Sequence, residues 1–123
     1  MEIERSGPGD RTGLVLFAGK ELLSAVREHA VRHRISEARL TAQGAFSECV
    51  VGWYSFEQKQ FVDTQLEGPV AIVTLAGYIS QRSGITHVAI HGVFTAPGGN
   101  CRAGHLRSGI VRSKLLVSIS IDH

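Results

Sequence analysis

The stretch PVAIVTLAGYIS, residues 69–80, indicates how this chain folds. A half-exposed strand alternates apolar and polar side chains, whereas this stretch is apolar almost throughout. Its apolar side chains are assigned to two faces, with Val70, Ile72 and Tyr78 on one and Val73, Leu75 and Ile79 on the other. Such a strand has to be covered on both sides.

Further strands and one helix are predicted around this stretch. β-Branched and aromatic runs predict strands at residues 13–19, 38–46, 49–56, 60–66, 85–94 and 115–121. The segment GKELLSAVREHAVRHR, residues 19–34, predicts a helix, because apolar residues recur there at spacings of three and four: Leu22, Leu23, Val26, Ala30 and Val31. We therefore predict an α+β fold with a mainly antiparallel sheet, one principal helix and short helical turns.

The length of 123 residues fits one hydrophobic core. Residues 1–12 mix charge with Gly and Pro and are predicted to be a flexible segment, so that residues 13–123 form a single domain. No run approaches the roughly 20 apolar residues of a membrane span, and the first residues lack the apolar centre of a signal peptide. The cytoplasm is the expected location, and no membrane partner is expected.

The number of apolar strands predicts association between copies of the chain. One helix cannot cover both faces of so large a sheet, and a monomer rarely exposes a large apolar patch. We therefore expect a homo-oligomer.

Positive charge is concentrated in the second part of the chain. Residues 68–123 contain five Lys and Arg side chains and a single acidic one, Asp122. Four of these cations are candidate contacts for nucleic-acid phosphates: Arg102, Arg107, Arg112 and Lys114. The alternative is an ordinary solvated face.

The segment HVAIHGVFTAPGGNCRAGHLRSG, residues 87–109, holds three of the six histidines. It lacks the Gly-Lys-Ser/Thr of a phosphate-binding P-loop, and residues 98–100 are predicted to form a tight turn. Cys101 lies near His105 in sequence, but no third group that would orient a nucleophile is recognisable. Cys49 and Cys101 fit no metal or redox motif and are expected to be reduced thiols.

Several short motifs in this order resemble the plant-and-prokaryote-conserved (PPC) domain. They are the Gly-Lys-Glu before the helix, Gly-Ala-Phe-Ser at 44–47, Leu-Ala-Gly at 75–77 and Gly-His-Leu at 104–106. The resemblance runs from about residue 13 to residue 121. It implies a PPC-like fold, a homotrimer whose sheets meet at the subunit interfaces, and a DNA-binding or regulatory role. The Arg-Gly-Arg-Pro of the AT-hook that accompanies this domain in plant proteins does not occur in this sequence.

The resemblance also implies a histidine cluster that this chain keeps only in part. Members of the family typically carry His-x-His on a strand, then Gly-Gly-His-Leu, and a glutamate on an earlier strand. Here His91 and His105 remain, whereas three alanines stand at the other positions: Ala71, Ala89 and Ala103. His87 lies four residues from His91, roughly 13 Å along a strand, and cannot easily replace the missing ligand.

Two interpretations of these histidines stay open. His91 and His105, with His87 more distant, could bind a divalent metal such as zinc, although zinc usually has three or four protein ligands. They could instead be a hydrogen-bonded pair without a metal. His29 and His33 have the i, i+4 spacing of a helical metal site, but with no third ligand in view we predict surface histidines.

The sequence therefore predicts a DNA-binding or regulatory protein of the PPC type. The alternative is a homotrimer that binds a small ligand or a metal in a histidine-lined pocket at the subunit interface. No catalytic machinery is recognisable, and an enzyme is not the expected class.

Overall fold

The computed structural model describes residues 2–6 and 10–122. It contains one antiparallel six-stranded sheet and one helix. The elements in chain order are β1 (Glu2–Ser6), β2 (Arg11–Phe17), α1 (Leu22–Arg32), β3 (Glu37–Ser55), β4 (Gln60–Arg82), β5 (Ile85–Thr95) and β6 (Cys101–Ile121). The predicted α+β fold is confirmed. Within the described ranges α1 is the sole helix. The short helical turns that we expected in addition are not found there, and the turns that join strands in these ranges are non-helical.

The sheet has the strand order β1-β2-β6-β3-β4-β5, and β5 also pairs with β6. That additional pairing joins His91–Thr95 to Cys101–His105. Strands β3, β4, β5 and β6 therefore form a closed circuit of pairings, and β2 and β1 extend the sheet beyond β6. The turn predicted at residues 98–100 is confirmed as the connection between β5 and β6, where the Ala96 N–H donates to the Asn100 carbonyl at 2.8 Å.

Two glycines allow this circuit to close. Gly92 and Gly104 lie directly opposite each other in β5 and β6. A Cβ at Gly92 would lie 2.3 Å from the Thr74 carbonyl oxygen, and a Cβ at Gly104 would lie 2.3 Å from the Gly52 carbonyl oxygen. Real side chains do not approach a backbone oxygen so closely, so the glycines around the histidines serve strand packing.

The strands are longer than the sequence predicts, because β-bulges let a strand continue past positions where the alternation of its residues is interrupted. The runs at 38–46 and 49–56 belong to β3, and those at 60–66 and 69–80 belong to β4. A register shift between Ile72 and Thr74 turns Val70 and Leu75 to the same side, and both are buried. The assignment of these two residues to opposite faces is wrong, since one extra residue at a bulge reverses the alternation.

Helix α1 is shorter than predicted and buries a different stripe. The Glu21 carboxylate caps its start by accepting from the backbone N–H groups of Leu23 and Ser24. The buried residues are Leu22, Ala25, Val26, His29 and Ala30. Val31, which we placed on the apolar stripe, is 60% exposed.

Strand β1 lies inside the segment that we predicted to be flexible. It pairs antiparallel with β2, from Glu2 opposite Leu16 to Ser6 opposite Thr12. The boundary at residue 13 is therefore placed too late, because the sheet already includes residues 2–6 and begins β2 at Arg11. Residues 7–9 of that segment lie outside the described residues.

The core lies between α1 and one face of the sheet, and the opposite face is open in a single chain. On the open face, Thr41, Ala76 and His91 are aligned across β3, β4 and β5, and all three are exposed. Tyr78 and Leu116 are 55% and 46% exposed. No helix in the described ranges has the length and apolar character that a bilayer span needs.

Candidate functional site

His91 and His105 lie directly opposite each other on β5 and β6. Their ring centroids are 6.5 Å apart in an edge-to-face arrangement, and both side chains are exposed. His105 is part of β6. The structure thus brings together the two histidines that the family pattern singles out.

His87 does not join this pair. It lies opposite Ser80, four residues along β5 from His91, and it is exposed. Four residues of extended strand span roughly 13 Å, which is too far for one ion to bridge. Among the described residues, the histidines of this window therefore offer two convergent ligands.

An exposed aromatic group continues from His105. The Phe61 ring centroid lies 6.4 Å from that of His105, and Tyr54 lies 5.3 Å from Phe61 and 5.1 Å from Phe56. Phe56 is 85% exposed. The group occupies the end of the β3–β4 hairpin, so that apolar surface adjoins the histidine pair.

The four candidate phosphate contacts all lie on β6 and are exposed, but they do not form one uniform set. Arg107 donates from Nε to Asp63 Oδ1 at 3.3 Å, so its charge is partly neutralised. Arg112 and Lys114 are two residues apart and exposed where the pairing of β6 with β2 ends, since Lys114 lies opposite Phe17, the last residue of β2. Neither has an ion-pair partner within residues 2–6 and 10–122. Arg102 lies opposite the buried Phe94, at the far end of the strand.

A second polar cluster joins β1 to α1 and consists of Glu4, His29 and His33. His29 Nδ1 lies 3.2 Å from Glu4 Oε1, and His33 Nε2 lies 3.1 Å from Glu4 Oε2. Potential ligand atoms of the three side chains all lie within 4.8 Å of one another. Arg32 also donates from Nη1 to Glu4 Oε1, at 2.6 Å.

This cluster is a candidate site that sequence reasoning missed. We predicted that His29 and His33 are surface histidines, but His29 is only 1% exposed. The third group was missed because Glu4 is 25 residues from His29 and lies in the segment that we took to be flexible. The helical spacing of the two histidines was the available signal, and only the pairing of β1 with β2 supplies the partner.

The electrostatics of the cluster favour a carboxylate beside a neutral imidazole. Burial opposes ionisation of Glu4, but the hydrogen bonds and charges of His29 and His33 outweigh it and lower the pKa of Glu4. Burial lowers the pKa of His29, against the opposing effect of Glu4. These are the protonation states in which both side chains can bind a metal.

The two cysteines occupy unlike environments. Cys49 is buried in the core, and burial raises the pKa of its thiol to about 11, which makes it unreactive. Cys101 is exposed at the start of β6, opposite Thr95. Both are free thiols, as the sequence predicts.

The architecture is that of an α+β protein with one antiparallel sheet, one helix and separate polar clusters on the two faces of the sheet. The chain belongs to the Plants and Prokaryotes Conserved (PCC) domain family, whose model matches residues 4–121. The resemblance seen in the sequence is confirmed. Among curated proteins no sequence match is found.

Solved structures share the fold over nearly the whole chain. A provisionally assigned DNA-binding protein of Bacteroides thetaiotaomicron is 18% identical, with a TM-score of 0.89 over 98% of this chain and 84% of that one. A PPC protein of Pyrococcus horikoshii is 21% identical, with a TM-score of 0.80 over 100% and 83% of the two chains. A metal-containing protein of Archaeoglobus fulgidus is 27% identical, with a TM-score of 0.80 over 99% and 86%.

Proposed function

We propose that this protein is a homotrimeric, cytoplasmic DNA-binding protein that contacts the phosphate backbone through cations of β6. The carrying observation is the pair Arg112 and Lys114, which are exposed on one side of the strand and have no ion-pair partner within the described residues. Family membership and the provisional DNA-binding assignment of a relative with the same fold support the class.

A trimer would multiply this pair of cations. Two cations neutralise too few phosphates for useful affinity, whereas three copies on one assembly present six. The open face of the sheet supports assembly, because it exposes apolar side chains such as Tyr78. A regulatory role would follow from DNA binding without any catalytic group.

The DNA proposal predicts salt-dependent binding that the β6 cations control. Labelled duplex DNA should bind at low salt in fluorescence anisotropy, and the double variant Arg112→Gln/Lys114→Gln should bind at least tenfold more weakly. The slope of log affinity against log salt should fall by about two for each subunit that contacts DNA.

The matched control is Arg27→Gln/Lys59→Gln, which removes the same charge from exposed positions on α1 and at the β3–β4 turn. It should bind DNA as the unmodified chain does. Absence of binding at low salt would end the proposal, as would an equal loss in both double variants.

A second candidate function is the binding of a metal or a small ligand at the His91–His105 pair. The observation that favours it is their directly opposed position on an exposed face, beside the aromatic group that begins at Phe61. The metal-containing relative from Archaeoglobus fulgidus adds support. In a trimer with the open faces together, this pair would line a pocket at the subunit boundary and could gain a further ligand from a neighbouring copy. Zinc that is bound by tag-free protein and lost on His91→Ala substitution would support this candidate.

A further inference from the structure

We propose that Glu4, His29 and His33 form a binding site for a divalent transition metal of the zinc type, which fastens strand β1 to helix α1. The site is distinct from the His91–His105 pair, and no residue of one belongs to the other. It goes beyond the proposed DNA binding and does not depend on it.

The donor set suits such an ion. One carboxylate and two imidazoles are the ligands of many three-ligand zinc sites, in which a further coordination position stays open. The i, i+4 spacing of His29 and His33 stacks the two rings on one side of the helix, and their centroids lie 4.4 Å apart. The buried ring of His29 is held in place by the core, so at least one ligand is preorganised.

The distances also fit. In a tetrahedral site with metal–ligand bonds near 2.0 Å, ligand atoms lie about 3.3 Å apart. Glu4 Oε1 lies 3.2 Å from His29 Nδ1 and Glu4 Oε2 lies 3.1 Å from His33 Nε2, so each contact is of that size, through a different carboxylate oxygen. The potential ligand atoms of the three residues lie within 4.8 Å of one another, so side-chain rotations can bring them around one ion.

Solvent can reach the cluster, so an ion has a way in. The three side chains line an open cleft of about 410 Å³, together with Thr12, Ile35 and Ile121. Glu2 shares the helix-facing side of β1 with Glu4, because it lies two residues away on the strand. Its Oε2 is buried and has no hydrogen-bond partner among the described residues.

Arg32 is the competitor. Its guanidinium donates to Glu4 Oε1 and supplies the positive charge that a metal would otherwise bring. The Arg32 side chain is 51% exposed, so it can move into solvent at little cost. Two carboxylates on β1 against this one cation leave the helix-facing side of the strand with net negative charge, which favours a dication.

The test is a zinc titration of the full chain, purified without a His-tag and stripped with a chelator. Isothermal titration calorimetry should find a zinc site whose affinity falls at least a hundredfold in His33→Ala and in Glu4→Gln. His33 is 45% exposed, so its loss should leave the fold intact, and circular dichroism checks this. The matched control is His87→Ala, an exposed histidine outside both clusters, which should bind zinc unchanged.

Two further variants distinguish zinc at this cluster from zinc at the His91–His105 pair and probe the competition from Arg32. His91→Ala/His105→Ala should keep the site, and Arg32→Ala should tighten it at least threefold, because a competing cation is removed. Loss of all zinc in the His91/His105 variant would overturn the proposal and favour the second candidate function. Absence of zinc binding in the unmodified chain, or equal affinity in His33→Ala, would also overturn it. DNA binding is measured separately, so neither proposal stands or falls with the other.

Discussion

Leu75→Asp is expected to leave the chain unfolded. Leu75 is 4% exposed in the middle of β4, opposite Gly92 of β5, and no cation among the described residues is placed to pair with a carboxylate there. A buried unpaired charge costs several kcal/mol in addition to the lost apolar contacts. Because a domain of this size is stable by only about 5–15 kcal/mol, the variant should show no cooperative unfolding transition by circular dichroism in urea.

Val73→Asp is the matched control for this experiment. It places the same carboxylate two residues away on the same strand, but at a side chain that is 62% exposed. Its urea transition should stay cooperative. If Leu75→Asp unfolds at the same urea concentration as the unmodified chain, the placement of Leu75 in the core is wrong. The sequence predicts that both faces of this strand are covered. In the structure Leu75 is buried within a single chain, whereas Val73 on the same strand is exposed.

Phe46→Ala is expected to destabilise the chain by about 3–5 kcal/mol, the usual cost of deleting a buried aromatic ring. Phe46 is 0% exposed and packs against Phe94 at 6.2 Å between ring centroids. Gly109 lies directly against the Phe46 ring, since a Cβ at Gly109 would be 2.6 Å from Phe46 Cε1. Removal of the ring therefore leaves a cavity beside Gly109 that no side chain at this position fills. Urea unfolding followed by fluorescence measures the loss.

The control for Phe46→Ala is Phe56→Ala. The Phe56 ring is 85% exposed at the β3–β4 turn, so its removal should change the free energy of unfolding by no more than about 0.5 kcal/mol. Equal effects in the two variants would mean that Phe46 does not occupy the centre of the core.

Much of the fold could be predicted from local patterns. The helix, the strand runs and the β5–β6 turn each carry their signal within a few residues, as in the Gly98–Gly99 pair. The predictions failed where one residue changes the geometry or where the partner is distant. The bulge at Ile72–Thr74 reverses the faces of β4, and no alternation pattern marks its position.

The candidate sites show the same division. The family pattern identifies His91 and His105, and their direct pairing requires only that the strands before and after the glycine turn form a hairpin. The Glu4 cluster could not be predicted, because it depends on a short strand in a charged segment that contains Gly and Pro. The alternation of Glu2, Ile3 and Glu4 is compatible with a strand, but three residues are too few to distinguish one from a flexible tail.

Assembly through the open face of the sheet underlies both functions proposed for this chain, because it multiplies the β6 cations and encloses the His91–His105 pair. Light scattering coupled to size-exclusion chromatography at micromolar concentration tests it most directly. The expected mass is about 40 kDa, three times the 13.3 kDa of one chain. A single well-behaved species of 13.3 kDa would contradict the account.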